Sequence, residues 1–131
     1  MLKKSHLLIW LLTCCGYVCA ANAESIASDN AAQGKILYFQ CRACHALNAG
    51  EAHKIGPNLH GFYGEKAGTR QGYTYSDALL ASGVVWTESS LDAWLKRPAE
   101  LVPGNKMVYQ GLADESGRRA LIDYLIRATG N

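Results

Sequence analysis

Five consecutive residues, Cys41-Arg42-Ala43-Cys44-His45, constrain this chain more than any other feature. The two thiols lie about one helical turn apart, and a histidine follows directly. Such thiols can add across the two vinyl groups of a haem, and the adjacent imidazole can then bind the iron. The pattern is therefore typical of covalent haem attachment. A disulfide, a redox dithiol and half of a zinc site remain as alternatives at this point.

The first 23 residues have the pattern of a secretory signal peptide. Two lysines precede an apolar stretch over 7–18, and small residues lead up to Ala23. The apolar stretch is shorter than the roughly 20 residues that a membrane-spanning helix needs. We therefore predict cleavage after Ala23, leaving residues 24–131 as a single domain. Cleavage after Ala20 and an uncleaved membrane anchor are the alternatives.

Cleavage would leave only Cys41 and Cys44 of the five cysteines. A disulfide between them would close a loop too small to stabilise the fold much. A structural zinc needs four ligands, and His53 and His60 would have to replace the missing second cysteine pair. A thioredoxin-like dithiol would follow a strand, whereas the residues before Cys41 have a helical pattern. We therefore predict that both cysteines bind haem.

Helical patterns lie at both ends of the mature chain. Before the haem motif, with Asp29 or Asn30 as N-cap, apolar or small residues recur at three- and four-residue intervals: Ala31, Gly34, Leu37, Tyr38 and Cys41. A last helix should begin near Asp114, with one face formed by Ala120, Leu121, Tyr124, Leu125 and Ala128. Shorter helices are predicted over 74–82 and from Thr87 to the stop at Pro98.

The segments 46–72 and 101–111 are predicted to be loops, and no strand pattern accompanies the helices. A structureless run as long as 46–72 is unusual in a small domain. A large prosthetic group would give these loops a surface on which to pack. We therefore predict a small all-α fold of about four to five helices wrapped around a covalently attached haem, and a poorly folded chain without it.

Met107 is the only methionine left after cleavage, and it follows His45 by 62 residues. It ends the loop sequence Pro103-Gly104-Asn105-Lys106-Met107. A thioether opposite His45 would give iron with His/Met ligation, which favours the ferrous state. A methionine that merely fills a gap in the core is the structural alternative. Other candidate ligands are His53, His60 and Lys106, although both histidines are otherwise expected to be solvated loop side chains.

These segments together resemble class I cytochrome c, the soluble mitochondrial and bacterial type, over nearly the whole mature chain. The resemblance lies in 41–45, 53–61, 72–78, 103–107 and 121–125. It implies a cytochrome c fold with one haem c per chain, bound through Cys41 and Cys44. It also implies that Gly34 and Tyr38 meet Leu121 and Tyr124 where the first and last helices cross.

The resemblance assigns further roles to single residues. His45 and Met107 would be the axial iron ligands, and the carbonyl of Pro57 would accept a hydrogen bond from His45. Tyr75 and Trp86 would hydrogen-bond the buried haem propionate. The chain departs from the family at Trp94, where a tyrosine often bonds the methionine sulfur, and at Glu65, where an arginine commonly faces the propionate. Lysines expected at the haem edge are replaced by Gln40 and Ala99, which leaves Lys54 and Lys106 there.

These features favour an electron carrier rather than an enzyme. Residues 24–131 contain 11 basic and 11 acidic side chains, so no nucleic-acid partner is expected. The expected partners are transient redox proteins, with a quinol-oxidising complex or dehydrogenase as donor and an oxidase or peroxidase as acceptor. We expect a periplasmic monomer whose association depends only mildly on salt. The alternative is a haem enzyme or gas sensor with a displaceable sixth ligand.

Overall fold

The computed structural model describes residues 30–130; the predicted signal peptide, its cleavage site and Asp29 lie outside the described residues. The helices are α1 over 30–38, α2 Asp77–Ala81, α3 Glu88–Lys96, α4 Pro98–Leu101 and α5 Glu115–Ala128. Over the described range, β structure is limited to an isolated bridge between Lys66 and Val85. The all-α prediction is confirmed. No helix between residues 30 and 130 combines the length and apolar character needed to cross a bilayer.

The predicted crossing of α1 and α5 is confirmed. Gly34 is buried, and a Cβ at that position would lie 2.7 Å from the Cβ of Tyr124 and would collide with the carbonyl oxygen of Ala120. The rings of Tyr38 and Tyr124 lie 5.6 Å apart, and Leu121 is fully buried. The nearest obstacle to a side chain at Gly34 is therefore the backbone of α5 rather than the side chain of Leu121.

The middle helices match the prediction only in part. Thr87 begins α3 with a capping box, in which its side chain and that of Ser90 each accept a hydrogen bond from the other residue's backbone N–H. Pro98 was expected only to stop α3, yet it also begins the short helix α4, because its fixed φ suits the first helical turn. The predicted helix over 74–82 is shorter, because Ser76 caps it at Asp77.

α5 begins where the sequence predicted it. The carboxylate of Asp114 accepts hydrogen bonds from the backbone N–H groups of Ser116 and Gly117. The guanidinium of Arg118, which is 4% exposed, donates to Asp92 on α3 at 2.7 Å and to two carbonyls of the preceding loop. This buried arginine therefore connects α3, α5 and the loop between α4 and α5.

The loops over 46–72 are fixed by side chains. Asn58 donates to the carbonyls of Asn48 and Glu51 and accepts from the N–H of His60. His53 is half-buried; its Nδ1 accepts from the N–H of Asn58, and its Nε2 donates to the carbonyl of Gln71. The expectation that His53 is a solvated side chain is therefore wrong. It joins two loops that are separated in sequence.

Candidate functional site

A cavity of about 220 Å³ brings together the seven residues that the sequence assigned to haem and iron binding. Its lining includes Cys41, Cys44, His45, Pro57, Tyr75, Trp86 and Met107. Large apolar side chains from α3, α5 and the loops complete the wall, among them Phe62, Leu91, Leu95 and Leu125. His53 and His60 are not part of the lining, so the fold places neither histidine where it could bind the same metal as His45.

The surroundings of His45 suit a metal ligand. Its Nδ1 lies 2.7 Å from the carbonyl oxygen of Pro57 and donates a hydrogen bond to it, because a carbonyl can only accept. Burial lowers the pKa of His45. The hydrogen bond to Pro57 opposes this effect and the charge of Lys54 adds to it, so the pKa lies below its usual value. A neutral imidazole with its Nδ1 proton committed leaves the Nε2 lone pair free to bind iron.

Three residues that were not predicted as site residues fix His45 in place. Gly56 lies against the imidazole, because a Cβ there would be 2.8 Å from both ring nitrogens. The backbone carbonyl of His45 accepts from the hydroxyl of Tyr38 at 2.8 Å and from the ammonium of Lys54 at 3.4 Å. The sequence signal for Gly56 was its place directly before Pro57; Tyr38 and Lys54 are recognisable only from tertiary contacts.

The two cysteines follow α1 in a tight turn. The predicted helix ends at 38, and the chain continues in turns to 44, with the N–H groups of Cys44 and His45 both donating to the carbonyl of Cys41. The two thiols are not joined to each other. Burial, reinforced by the neighbouring Cys44, raises the pKa of Cys41 to about 11. A redox dithiol needs a readily formed thiolate, so this environment argues against that alternative.

The structure also bears on the zinc alternative. Among residues 30–130, no group of three or more histidine, cysteine, aspartate or glutamate side chains is placed to hold a metal ion. Cys41 and Cys44 are therefore not half of a four-ligand cysteine and histidine site in the part of the chain that the structure describes. The remaining candidate donors around these cysteines are the imidazole of His45, the thioether of Met107 and the amine of Lys106, all on the cavity wall.

Two departures from the family pattern, Trp94 and Glu65, lie at the cavity. Trp94 is 8% exposed and lines the wall, with its ring 5.4 Å from that of Trp86. Glu65 lines the cavity at an exposed position, and Arg70, also in the lining, donates to the carbonyl of His60. The propionate bonds assigned to Tyr75 and Trp86 stay predictions, as do the iron bonds of His45 and Met107.

The lining fits a covalently bound haem in its chemistry. Two neighbouring thiols match two vinyl groups, a neutral imidazole and a thioether match two axial positions, and apolar walls match the faces of a porphyrin. Polar side chains such as Tyr75 and Arg70 also reach the wall, where they can meet carboxylate groups. Haem is therefore the cofactor that this donor set accommodates.

Comparisons with known proteins lead to the same family. The sequence profile of the cytochrome c family matches residues 31–128. The chain is 38% identical over 109 residues to cytochrome c2 of Blastochloris viridis, covering 83% of this chain and 86% of that protein. It is 44% identical over 107 residues to cytochrome c of Chlamydomonas reinhardtii, covering 82% and 96% respectively.

A solved structure is similar as well. Cytochrome cH from Methylobacterium extorquens matches with a TM-score of 0.70 and 41% identity, over 74% of this chain and 97% of that one. The agreement extends to the spacing of the two haem-binding cysteines within the matched residues. The chain therefore belongs to the cytochrome c family and carries one haem c, attached covalently through Cys41 and Cys44.

Proposed function

We propose that this protein is an electron carrier in which His45 and Met107 bind the haem iron from opposite faces. The observation that carries the proposal is that one cavity wall contains both haem-binding cysteines, a neutral histidine and the only methionine of the predicted mature chain. Bound haem supplies a one-electron Fe(III)/Fe(II) couple. With both axial positions filled by the chain, no position is left for a substrate.

The residues of the chain set the conditions for this exchange. The carbonyl of Pro57 fixes the tautomer of His45 and increases its basicity as a ligand. The thioether of Met107 is a soft donor that favours ferrous iron and raises the reduction potential. The apolar wall excludes water, and the contacts of Gly56 and Tyr38 with His45 keep its position the same in both oxidation states.

The alternative of a haem enzyme or gas sensor is less well supported, because the two polar side chains next to Met107 in its loop are already engaged. The amide of Asn105 is already bonded to the carbonyl of Val102 and the N–H of Met107. The ammonium of Lys106 lies 5.4 Å from the ring centre of Tyr73, in a cation–π contact. Neither side chain is therefore available as the acid or base that a peroxidase-like reaction needs. This arrangement supports the carrier.

The proposed docking surface surrounds the mouth of the cavity. Val108 is 99% exposed and Ile55 is 79% exposed, and both line the cavity. The ammonium of Lys54 is bonded to the carbonyls of Arg42 and His45, so the charge nearest Ile55 is partly engaged within the chain. This surface suits a brief contact of less than about 1,200 Å² with redox partners, and an association that salt weakens only slightly.

The proposed donor is a membrane quinol-oxidising complex or a dehydrogenase, and the proposed acceptor is a terminal oxidase or a peroxidase. The predicted secretory leader over 1–23 supports a periplasmic location, with anchoring by an uncleaved N-terminus as the minor alternative. The bacterial relatives named cytochrome c2 and cytochrome cH are in keeping with a bacterial carrier of this kind. We propose a monomer as the working form.

Carbon monoxide binding tests the proposal. The purified ferrous holoprotein should not bind carbon monoxide, because Met107 fills the sixth position. Met107→Ala should bind it rapidly and should have a lower reduction potential. Val108→Ala, a change at the neighbouring exposed side chain, should behave like the wild type. Rapid binding by the wild type, or an unchanged spectrum and potential in Met107→Ala, would contradict the carrier.

A further inference from the structure

We infer that Asn105 is a positioning residue whose side-chain amide holds Met107 at the sixth coordination position. The inference rests on the proposed function, since it assumes that Met107 binds the iron. Asn105 is half-buried and lines the cavity two residues before Met107. Its position in the methionine loop gives it access to both the start and the end of that loop.

The two ends of the Asn105 amide bond to different parts of the loop. The side-chain oxygen accepts from the N–H of Met107 at 2.9 Å, and the side-chain nitrogen donates to the carbonyl of Val102 at 2.9 Å. The backbone N–H of Asn105 also donates to that carbonyl, at 3.1 Å. Val102 is buried in the core, at 3% exposure. The amide therefore ties the backbone of Met107 to a fixed point of the core.

The rest of the loop offers Met107 little other support. The residues on either side of it, Lys106 and Val108, are exposed, and Val108 is 99% exposed. Gly104 is in the left-handed region at a φ of 84°, where the chain turns sharply. The backbone carbonyl of Met107 accepts a hydrogen bond from the N–H of Tyr109. The side chain of Met107 packs against the hydrophobic core, so the bonds made by Asn105 act on its backbone.

Only an amide provides both bonds. Aspartate keeps an acceptor for the N–H of Met107 but has no donor for the carbonyl of Val102, and alanine provides neither. If the loop loosens, the thioether leaves the iron more often, and an external ligand binds with an apparent affinity that rises with the open fraction. Asn105 would thus determine how firmly the sixth position is closed.

Imidazole binding to the ferric holoprotein measures that closure. Asn105→Ala should increase the apparent affinity for imidazole by about tenfold, the effect expected for the loss of two hydrogen bonds. Asn105→Asp should fall between alanine and the wild type, because it keeps one of the two bonds. Thr87→Ala is the matched control, because it removes a helix cap that does not line the cavity and should lower stability without changing imidazole affinity.

The outcomes separate the inference from the function on which it rests. An imidazole affinity of Asn105→Ala equal to that of Thr87→Ala would overturn the role of Asn105. If Met107→Ala bound imidazole no more tightly than the wild type, the axial role of Met107 itself would fail. Should Asn105→Ala not mature, hydrogen exchange in the wild type decides: the amide of Met107 should exchange at least about tenfold more slowly than a free amide, and exchange at the free rate would overturn the inference.

Discussion

At the scale of single residues, His45 is held by a lack of space as well as by hydrogen bonds. Its ring donates to Pro57 and lies against Gly56, while Tyr38 fixes its backbone carbonyl. The value of φ at Gly56 is not in the left-handed region, so its role is to make room rather than to allow a special backbone conformation. An imidazole held in this way has one orientation available.

Gly56→Ala should disturb the ligand directly. The new methyl group would overlap the imidazole, and overpacking of this kind typically costs about 1–3 kcal/mol. A displaced ring would weaken the bond to Pro57, lower the basicity of His45 and raise the reduction potential. Potentiometry and thermal unfolding of the holoprotein measure the two effects. Gly50→Ala, at a left-handed position with open space around it, should lower stability while leaving the potential unchanged.

Tyr38 makes stability depend on pH in alkaline solution. Burial, followed by the neighbouring Tyr124, raises the pKa of Tyr38 above its usual value of 10.0. The folded state therefore keeps the phenol proton longer than the unfolded state, so stability is complete below pH 10 and decreases as the pH rises through the folded pKa. Tyr38→Phe should lower the stability at neutral pH by about 1 kcal/mol, because it removes the hydrogen bond to the carbonyl of His45. It should also lose less stability than the wild type above pH 10 in denaturant titrations, and an equal alkaline loss would refute this role.

At the scale of helices, the crossing of α1 and α5 depends on one glycine. Helix propensity alone favours alanine over Gly34 by about 1 kcal/mol, because glycine has more backbone freedom to lose. Packing predicts instead that alanine is less stable than glycine at this position, since a Cβ would meet the backbone of Ala120, which cannot move aside. We expect Gly34→Ala to destabilise the holoprotein by about 1–3 kcal/mol or more in denaturant unfolding. An unchanged or increased stability would show that the two helices do not approach this closely.

The helices differ in how well the sequence predicted them. α3 was predicted with its N-cap Thr87, and α5 was predicted to begin near Asp114, because periodic apolar faces follow both residues. α2 was predicted as a longer helix over 74–82 without its cap at Ser76, and α4 was not predicted, because helices of five and four residues have too few turns for a period to show. The haem motif could be predicted because its chemistry fixes its spacing, whereas the role of Pro57 was implied by the resemblance to class I cytochrome c. The bonds of His53, Tyr38 and Lys54 join distant segments, and no local pattern reveals them.

At the scale of the whole molecule, the cofactor is part of the core. A cavity of about 220 Å³ would be left without it. The apolar walls formed by Phe62, Leu91 and Leu95 would also lose their partner. The fold and the cofactor therefore depend on each other.

A chain that cannot bind haem should not fold cooperatively. The double variant Cys41→Ala/Cys44→Ala, made where no haem is attached, should show a broad, non-cooperative thermal transition by circular dichroism and poorly dispersed amide resonances. The wild-type holoprotein, unfolded under the same conditions, provides the reference transition. A sharp transition together with native-like dispersion would mean that the polypeptide alone is sufficient, and that the prosthetic group only occupies a preformed site.

The arrangement of His45 and Met107 on opposite faces of one haem is the central claim. Proton NMR of the reduced wild-type holoprotein tests it most directly, because the predicted mature chain contains one methionine and its methyl signal is therefore unambiguous. If Met107 binds the iron, the ring current of the porphyrin should shift that methyl resonance far upfield of every other methyl group. A methionine methyl at its ordinary position would contradict the account.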